Sequence, residues 1–271
     1  MNYGHAIITG GSSGIGLALA KCLIKEGWNI SIIARTEQKL SDARNQLLDL
    51  KCSPSQKIGI FSADVSDQHQ IDKAIQSAIE LSDVPELLIT CAGIVRPGYF
   101  YKLPVEIFKQ LMDVNYFGTL YAVKAVIPAM RQCRKGHIVM ISSGAGLIGI
   151  FGYTAYSPAK FALRGFAEAL RAESRIDGIN VSIVYPPDTA TPQLIEENRS
   201  KPQETLLITS YGGILTSEKV AGSIIKGIKR HSFMITPGFH MTMLALLHSL
   251  LFPLLCRYFD HLVDKGRKYQ N

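Results

Sequence analysis

Tyr156 and Lys160 stand four residues apart in Tyr156-Ser157-Pro158-Ala159-Lys160, at the expected start of a helix. That spacing stacks two side chains on one helical face. An ammonium beside a phenol stabilises the phenolate and lowers the phenol pKa towards neutrality. A tyrosine so placed gives a proton to a carbonyl oxygen while hydride arrives at the carbon. Pro158 is compatible with the start of a helix, because proline is tolerated in the first turn. Ser143 lies thirteen residues before Tyr156, just beyond an expected strand, and its hydroxyl can bond the same oxygen. Taken alone, the Tyr-x-x-x-Lys spacing describes a surface pair better than a catalytic one.

A second constellation lies near the start of the chain, in Thr9-Gly10-Gly11-Ser12-Ser13-Gly14-Ile15-Gly16. Glycines at 10, 14 and 16 sit between a strand-like run and a helical pattern. They permit a tight turn and let backbone approach a pyrophosphate, while the helix N-terminus offers free N–H groups and the positive end of its dipole. At the end of the second strand, binders of NAD usually carry a carboxylate for the ribose hydroxyls. Here Ala34-Arg35-Thr36 stands in that place, with Lys39 four residues beyond Arg35. A guanidinium can chelate a 2′-phosphate that a carboxylate would repel. The pattern therefore favours NADP(H) over NAD(H). It assigns Gly10, Ser12, Ser13, Gly14, Ile15, Gly16, Arg35 and Lys39 to the dinucleotide.

Such residues must be carried to one place by a scaffold. Strand-like runs cover 5–8, 29–34, 58–63, 87–91, 137–142 and 180–185. Helical periodicity follows Ile15 up to a stop at Gly27, and covers 39–50, 71–81, 105–130 and 158–176. The alternation argues a doubly wound parallel α/β sheet with helices on both faces, the Rossmann arrangement. A single domain, residues 1–235, with an apolar extension, 236–271, is the simplest division. The stretch from Thr189 to Ser217 has weak periodicity and is expected to be loop with short helices.

Composition agrees with this and excludes much else. The chain has 271 residues, 47% apolar and 19% charged, enough for a sizeable core and too apolar for disorder. The formal net charge is +7, yet no basic run of five appears, so no nucleic-acid partner is expected. The five cysteines are scattered without C-x-x-C spacing, which fits reduced thiols in a cytoplasmic protein and no metal. No signal peptide is read, because the first apolar stretch, near Ala6, is already a strand.

Together Thr9 to Gly16, Ala92-Gly93, Asn115, Ser143, Tyr156 and Lys160 resemble the short-chain dehydrogenase/reductases in order and spacing, up to about residue 192. The resemblance implies a Rossmann-fold oxidoreductase with Asn115, Ser143, Tyr156 and Lys160 as its catalytic tetrad. By the same resemblance Tyr156 is the acid/base, Ser143 the polariser, and Asn115 holds a water in the proton relay. Lys160 binds the nicotinamide ribose and tunes Tyr156, and both count among the cofactor contacts. Asp64-Val65 resembles the pair that meets adenine, and Ala92 and Gly93 line the dinucleotide. From its residue type alone, Asn115 serves equally to cap or kink the long helix. Two departures stand out. Cys91 replaces the asparagine that usually precedes Ala-Gly, and Pro186-Pro187-Asp188-Thr189-Ala190-Thr191-Pro192 replaces a Pro-Gly turn. Proline there stiffens the loop over the nicotinamide, and Pro186, Thr189 and Thr191 are assigned to the cofactor. These departures, with Phe151 to Ser157, resemble the branch of the family that reduces the ketone of a sphingoid base with NADPH. Reductases of a steroid, retinoid or 3-oxoacyl ketone share every catalytic residue, and an idle nucleotide-binding scaffold is a lesser alternative. A homo-oligomer, dimer or tetramer, is also expected.

The tail suits a lipid substrate. Met241 to Cys256 is sixteen residues, almost wholly apolar, interrupted by Pro253 and containing His248. A clean span needs roughly 20. A short hairpin or interfacial helix, anchored by Arg257, Lys265, Arg267 and Lys268, is therefore favoured, alongside a helix that packs in the protein and covers the substrate pocket. The expected location is cytoplasmic, or peripheral on the cytoplasmic face of a membrane: endoplasmic reticulum if eukaryotic, inner membrane if bacterial.

Overall fold

A computed structural model describes residues 4–210 and 213–267; Lys268 of the proposed basic anchor lies outside them. The first half runs β1 (His5–Thr9), α1 (Gly14–Lys25), β2 (Asn29–Ala34), α2 (Glu37–Leu48), β3 (Ile58–Ser62), α3 (Gln68–Ser82) and β4 (Leu87–Thr90). Then come α4 (Val105–Met112), α5 (Gly118–Cys133), β5 (Gly136–Ile141), α6 (Tyr156–Ser174) and β6 (Ile179–Val184). The remainder is β7 (Thr189–Ala190), α7 (Pro192–Asn198), α8 (Gln203–Ser210), β8 (Leu215–Thr216), α9 (Ser217–Lys229), β9 (Met234–Ile235) and α10 (Phe239–Arg267).

Seven strands form one parallel sheet in the order β3-β2-β1-β4-β5-β6-β9. Its central strands are apolar on both faces because helices cover both. In β1 the alternation is explicit: Ala6 and Ile8 belong to the core shared with α1, α2 and α9, whereas Ile7 belongs to that shared with α3, α5 and α6. The strand order reverses between β3-β2-β1 and β4-β5-β6. A crevice therefore opens beyond the carboxyl ends of β1 and β4, where open α/β sheets bind ligands. Four expected strands overrun the observed ones by one residue, and the hydrogen bonds explain why. Ala63, Cys91, Ser142 and Tyr185 still donate their N–H groups to Ala34, Thr9, Val184 and Ile235, while the chain has already begun to turn towards the crevice.

Two expectations are corrected. The helix expected over 105–130 is two helices joined by a π turn, Asp113–Phe117, that contains Asn115. The 189–217 region holds the expected short helices, α7 and α8, and adds a two-stranded pair, β7 with β8. The tail is not a hairpin. It is one helix of 29 residues, about 43 Å long at the usual rise. Pro253 does not turn it back. The carbonyl that loses its partner is that of Ser249, and both residues are exposed, so water can serve it. The inner face of α10 buries Met241, Ala245 and Leu262, whereas Leu246, Leu250 and Leu254 are exposed.

At the end of the sheet opposite the crevice, the strands enclose a buried imidazole. His137 on β5 is 5% exposed, and its Nε2 lies 2.7 Å from the Ser182 hydroxyl. That hydroxyl already donates to the Ser232 carbonyl, so Nε2 carries the proton. Burial, aided by the stacked His231, pulls the His137 pKa from 6.5 down to about 4. The folded protein thus refuses a proton that the unfolded chain accepts below 6.5, and stability is lost as pH falls from there towards about 4. Urea denaturation at pH 6.5 and pH 5 checks this: the wild type is expected to lose about 2 kcal/mol more than His137→Asn over that interval.

Candidate active site

Lys160 is the hub of the site. It sits one turn into α6, 5% exposed, and its Nζ donates to the Ile141 carbonyl at 3.0 Å. Ser142 closes a second link from the end of β5 by donating to the Lys160 carbonyl at 3.1 Å. Gly146 is required beneath this contact, since a Cβ there would lie 2.4 Å from Ser142 Oγ and 2.8 Å from the Lys160 carbonyl oxygen. Burial lowers the Lys160 pKa to about 8. The ammonium lies 5.6 Å from the centre of the Tyr156 ring, so the expected stacking of the two side chains is present.

The expected depression of the Tyr156 phenol is not. Burial pushes its pKa up, and the charges of Glu197 and Asp188 add to the rise; a hydrogen bond with Ser143 pulls the other way. Desolvation of a phenolate dominates here: the Lys160 ammonium stands over the ring, with no hydrogen bond to the phenol oxygen among the described residues. Ser143 follows β5 in an extended conformation and accepts from the Ala145 N–H, which fixes its oxygen beside Tyr156.

Asn115 reaches the same place through the π turn. Its Nδ2 donates to the carbonyls of Ile94 and Leu111, both at 2.9 Å, and its Oδ1 accepts from the Ile94 N–H at 3.1 Å. Both amide protons are consumed. Asn115 is a clamp between the π turn and the segment that follows β4, with one oxygen lone pair left for a water. Gly93 must be glycine against this clamp, because a Cβ would lie 2.7 Å from Asn115 Oδ1.

Beyond these four residues one cavity of about 570 Å³ runs the length of the crevice. Gly10, Ser12, Ser13, Gly14, Ile15, Arg35, Lys39, Asp64, Val65, Ala92, Gly93, Pro186, Thr189 and Thr191 line it, together with the four. Gly16 does not line it. It packs behind the loop, where a Cβ would meet the Gly10 carbonyl oxygen at 2.3 Å. The loop fits a dinucleotide. Gly10 and Gly14 have φ of +68° and +54°, and a Cβ on Gly10 would strike Ala92 N at 2.7 Å. The N-cap Ser13 makes no side-chain cap bond and no acidic residue stands in the first turn of α1, so its N–H groups and dipole remain for phosphate. Past β2, Arg35 and Lys39 are exposed at the rim. Arg35 lies 3.8 Å from Asp64, whose other oxygen holds the turn at Ser66.

The Pro-Pro-Asp loop is braced from within. Gly144 N donates to the Pro186 carbonyl, and the Thr189 hydroxyl donates to the Pro187 carbonyl. Thr191 caps α7 by accepting from Leu194 N, and its methyl group stands over Gly14. Cys91 packs where an asparagine was looked for; burial pushes its thiol up to about 11, so it stays protonated at neutral pH.

Several lining residues were not singled out from sequence. Tyr153 packs edge-on to Tyr156, with ring centres 5.4 Å apart, and its hydroxyl donates to Glu197. Lys201, wholly buried, bridges Glu197 and Asp188 at 3.0 Å each. The i, i+4 spacing of Glu197 and Lys201 was a readable signal for an ion pair; their closure onto Asp188 was not. The far wall is apolar: Ile148, Ile150, Leu194 and Ile208, with Met241, Leu244, Leu255 and Phe259 of α10. Among the described residues no group of three His, Cys, Asp or Glu is arranged for a metal ion.

Comparison with known proteins agrees with the fold. Residues 4–202 match the family described as short chain dehydrogenase. The chain is 43% identical to a protein of Danio rerio named 3-dehydrosphinganine reductase, over 86% of this chain and 70% of that one. It is 39% identical to the 3-ketodihydrosphingosine reductase of Dictyostelium discoideum, over 96% and 82%. A short-chain dehydrogenase/reductase of Burkholderia phymatum, solved with NAD, superposes with a TM-score of 0.82 at 22% identity, covering 94% of this chain and 95% of its own. The chain belongs to the short-chain dehydrogenase family of oxidoreductases.

Proposed function

We propose that this protein reduces the ketone of 3-oxosphinganine to the secondary alcohol of sphinganine, with NADPH, in sphingolipid synthesis. The observation that carries the reading is one continuous cavity. It has a basic rim at one end, the Tyr156–Ser143 hydroxyls in the middle and an apolar wall built from α10 at the other. The names of the relatives point to the same ketone. Arg35 and Lys39 would hold the 2′-phosphate, the glycine loop the pyrophosphate, and Lys160 the ribose beside the nicotinamide. When bound, the dinucleotide supplies the hydride that the ketone carbon accepts.

The chain supplies the rest. Ser143 hydrogen-bonds the ketone oxygen, and Tyr156 gives that oxygen its proton. A phenol pushed up by burial is protonated at neutral pH, which is what a donor in the reducing direction needs. As the proton leaves, the ammonium of Lys160 stabilises the phenolate. Asn115 keeps the strand end and the π turn in place around it.

The outer face of α10 fits a lipid surface. Leu246, Leu250 and Leu254 are 68%, 78% and 60% exposed, on a helix long and apolar enough to cross a membrane by length and composition. An interfacial position suits a helix whose inner face walls the cavity.

Four measurements test these readings. NADPH oxidation with 3-oxosphinganine, a steroid ketone and a 3-oxoacyl thioester is expected to favour the first. Tyr156→Phe is expected to lower that rate at least about a thousandfold with dinucleotide affinity nearly unchanged; turnover near wild type removes Tyr156 from the chemistry. Arg35→Asp is expected to shift preference from NADPH towards NADH by at least about tenfold, and an unchanged ratio means another group reads the phosphate. Leu246→Ser with Leu250→Ser is expected to cut sedimentation with anionic phospholipid vesicles while sparing reduction of a water-soluble ketone. Equal sedimentation rules out this face as the anchor.

A further inference from the structure

The cavity is electrostatically divided. Its nucleotide end carries the cations Arg35 and Lys39. Beyond Tyr156, Asp188 and Glu197 face the cavity, and the lysine that bridges them, Lys201, lies behind it with its side chain fully buried. Two carboxylates and one ammonium leave a formal charge of −1 against a largely apolar wall. An uncompensated charge in such a place is costly. The cost suggests that the missing partner arrives with the ligand.

Glu197 is the member equipped to receive it. Tyr153 and Lys201 both bond its Oε1, whereas Oε2 has no hydrogen bond or ion pair among the described residues. The carboxylate is thus held in one orientation by two fixed groups and keeps one oxygen to offer. Its position relative to the chemistry is also fixed. The Tyr153 ring that bonds it leans edge-on against the Tyr156 ring, 5.4 Å between centres. A cation beside Glu197 is therefore one side chain away from the phenol that meets the ketone.

We propose that Glu197, oriented by Tyr153 and Lys201, is the acceptor for an ammonium group on the carbon next to the ketone, and so selects amino-ketone lipids over plain ketones. The proposal rests on the reading of a sphingoid ketone as substrate and adds the residue that recognises its amine. The apolar wall from α10 accepts the alkyl chain but has no means of telling a sphingoid chain from another of equal length. The charge has. A charge-assisted bond in a desolvated pocket is the kind of contact whose loss discriminates strongly between otherwise similar ligands.

The test uses three ketones: 3-oxosphinganine, its N-acetyl derivative and the analogue lacking nitrogen. Wild type is expected to show a KM about 30-fold lower for the amine than for either uncharged ketone. In Glu197→Gln, which keeps an acceptor for Tyr153, KM for the amine is expected to rise about 30-fold with kcat within threefold, and the uncharged ketones to be unaffected. An equal loss on all three ketones makes Glu197 a brace for Tyr153 and overturns the proposal. So does a wild type that takes the three equally, a result that needs no variant to fold. If wild type reduces a steroid ketone or a 3-oxoacyl thioester and none of the three, the substrate reading fails, which is a separate outcome.

Discussion

A protonatable amine is enclosed at the centre of this protein, and the surrounding elements are arranged to tolerate it. The Lys160 ammonium is cut off from water, and the carbonyl it bonds belongs to Ile141, the last residue of β5. The bond joins sheet to helix at the point where the chain leaves both for the crevice. Ser142 repeats the link from the next residue, and Gly146 lets the two backbones approach. Tyr156 does not behave as a simple cation-phenol pair, because burial and the carboxylates beyond it dominate its acidity. The result is a protonated hydroxyl backed by a cation, an arrangement suited to giving a proton away.

Much of this was legible in the sequence. β1, α1 and β2 could be read because apolar periodicity, glycine spacing and the missing carboxylate after β2 are local signals. Ser143, Tyr156 and Lys160 could be expected in one place because they sit at or near element ends, where a short motif specifies a position. Asn115 was legible as a residue and illegible as a structure. A π turn has no hydrophobic period of its own, and the 105–130 stretch carries helical spacing on either side of it. The strand β9 has two residues, too few to show alternation. The Asp188–Lys201–Glu197 cluster needs α7 to fold back towards the Pro-Pro-Asp loop, a tertiary event that spacing does not encode.

The apolar tail shows the limit most clearly. A helix apolar on all sides belongs in a core or in lipid, and composition cannot say which face goes where. The structure resolves the inner face: Met241 and Ala245 enter the core under α6, and Leu244, Leu255 and Phe259 wall the cavity. At its far end α10 is tied to α8, where Gly266 sits against Glu204 too closely for a larger residue to fit without displacement. Glu204 is itself buried and accepts from Tyr99. The helix is thus held by close packing at both ends, through Met241 and Ala245 at one and Leu262 and Gly266 at the other. Between those anchors its outer residues owe nothing to the fold.

This arrangement couples the two faces. Residues such as Leu244 and Leu255 shape the cavity, while Leu246, Leu250 and Leu254, one turn away on the same rod, meet the surroundings. A lipid held in an apolar phase against the outer face would lie within the diameter of a single helix, about 10 Å, of the cavity wall. For an amphiphile with a long alkyl chain, the unfavourable step in reaching an enzyme is transfer of that chain through water, at about 0.8 kcal/mol for each methylene. A wall shared between an apolar surface and the pocket removes most of that step. On the proposed reading the polar end of the same molecule would then meet the Asp188–Glu197 side of the cavity, so chain and head group would be received by different chemistry at different depths. On this account the long helix is placed by the requirements of the substrate as much as by those of the fold.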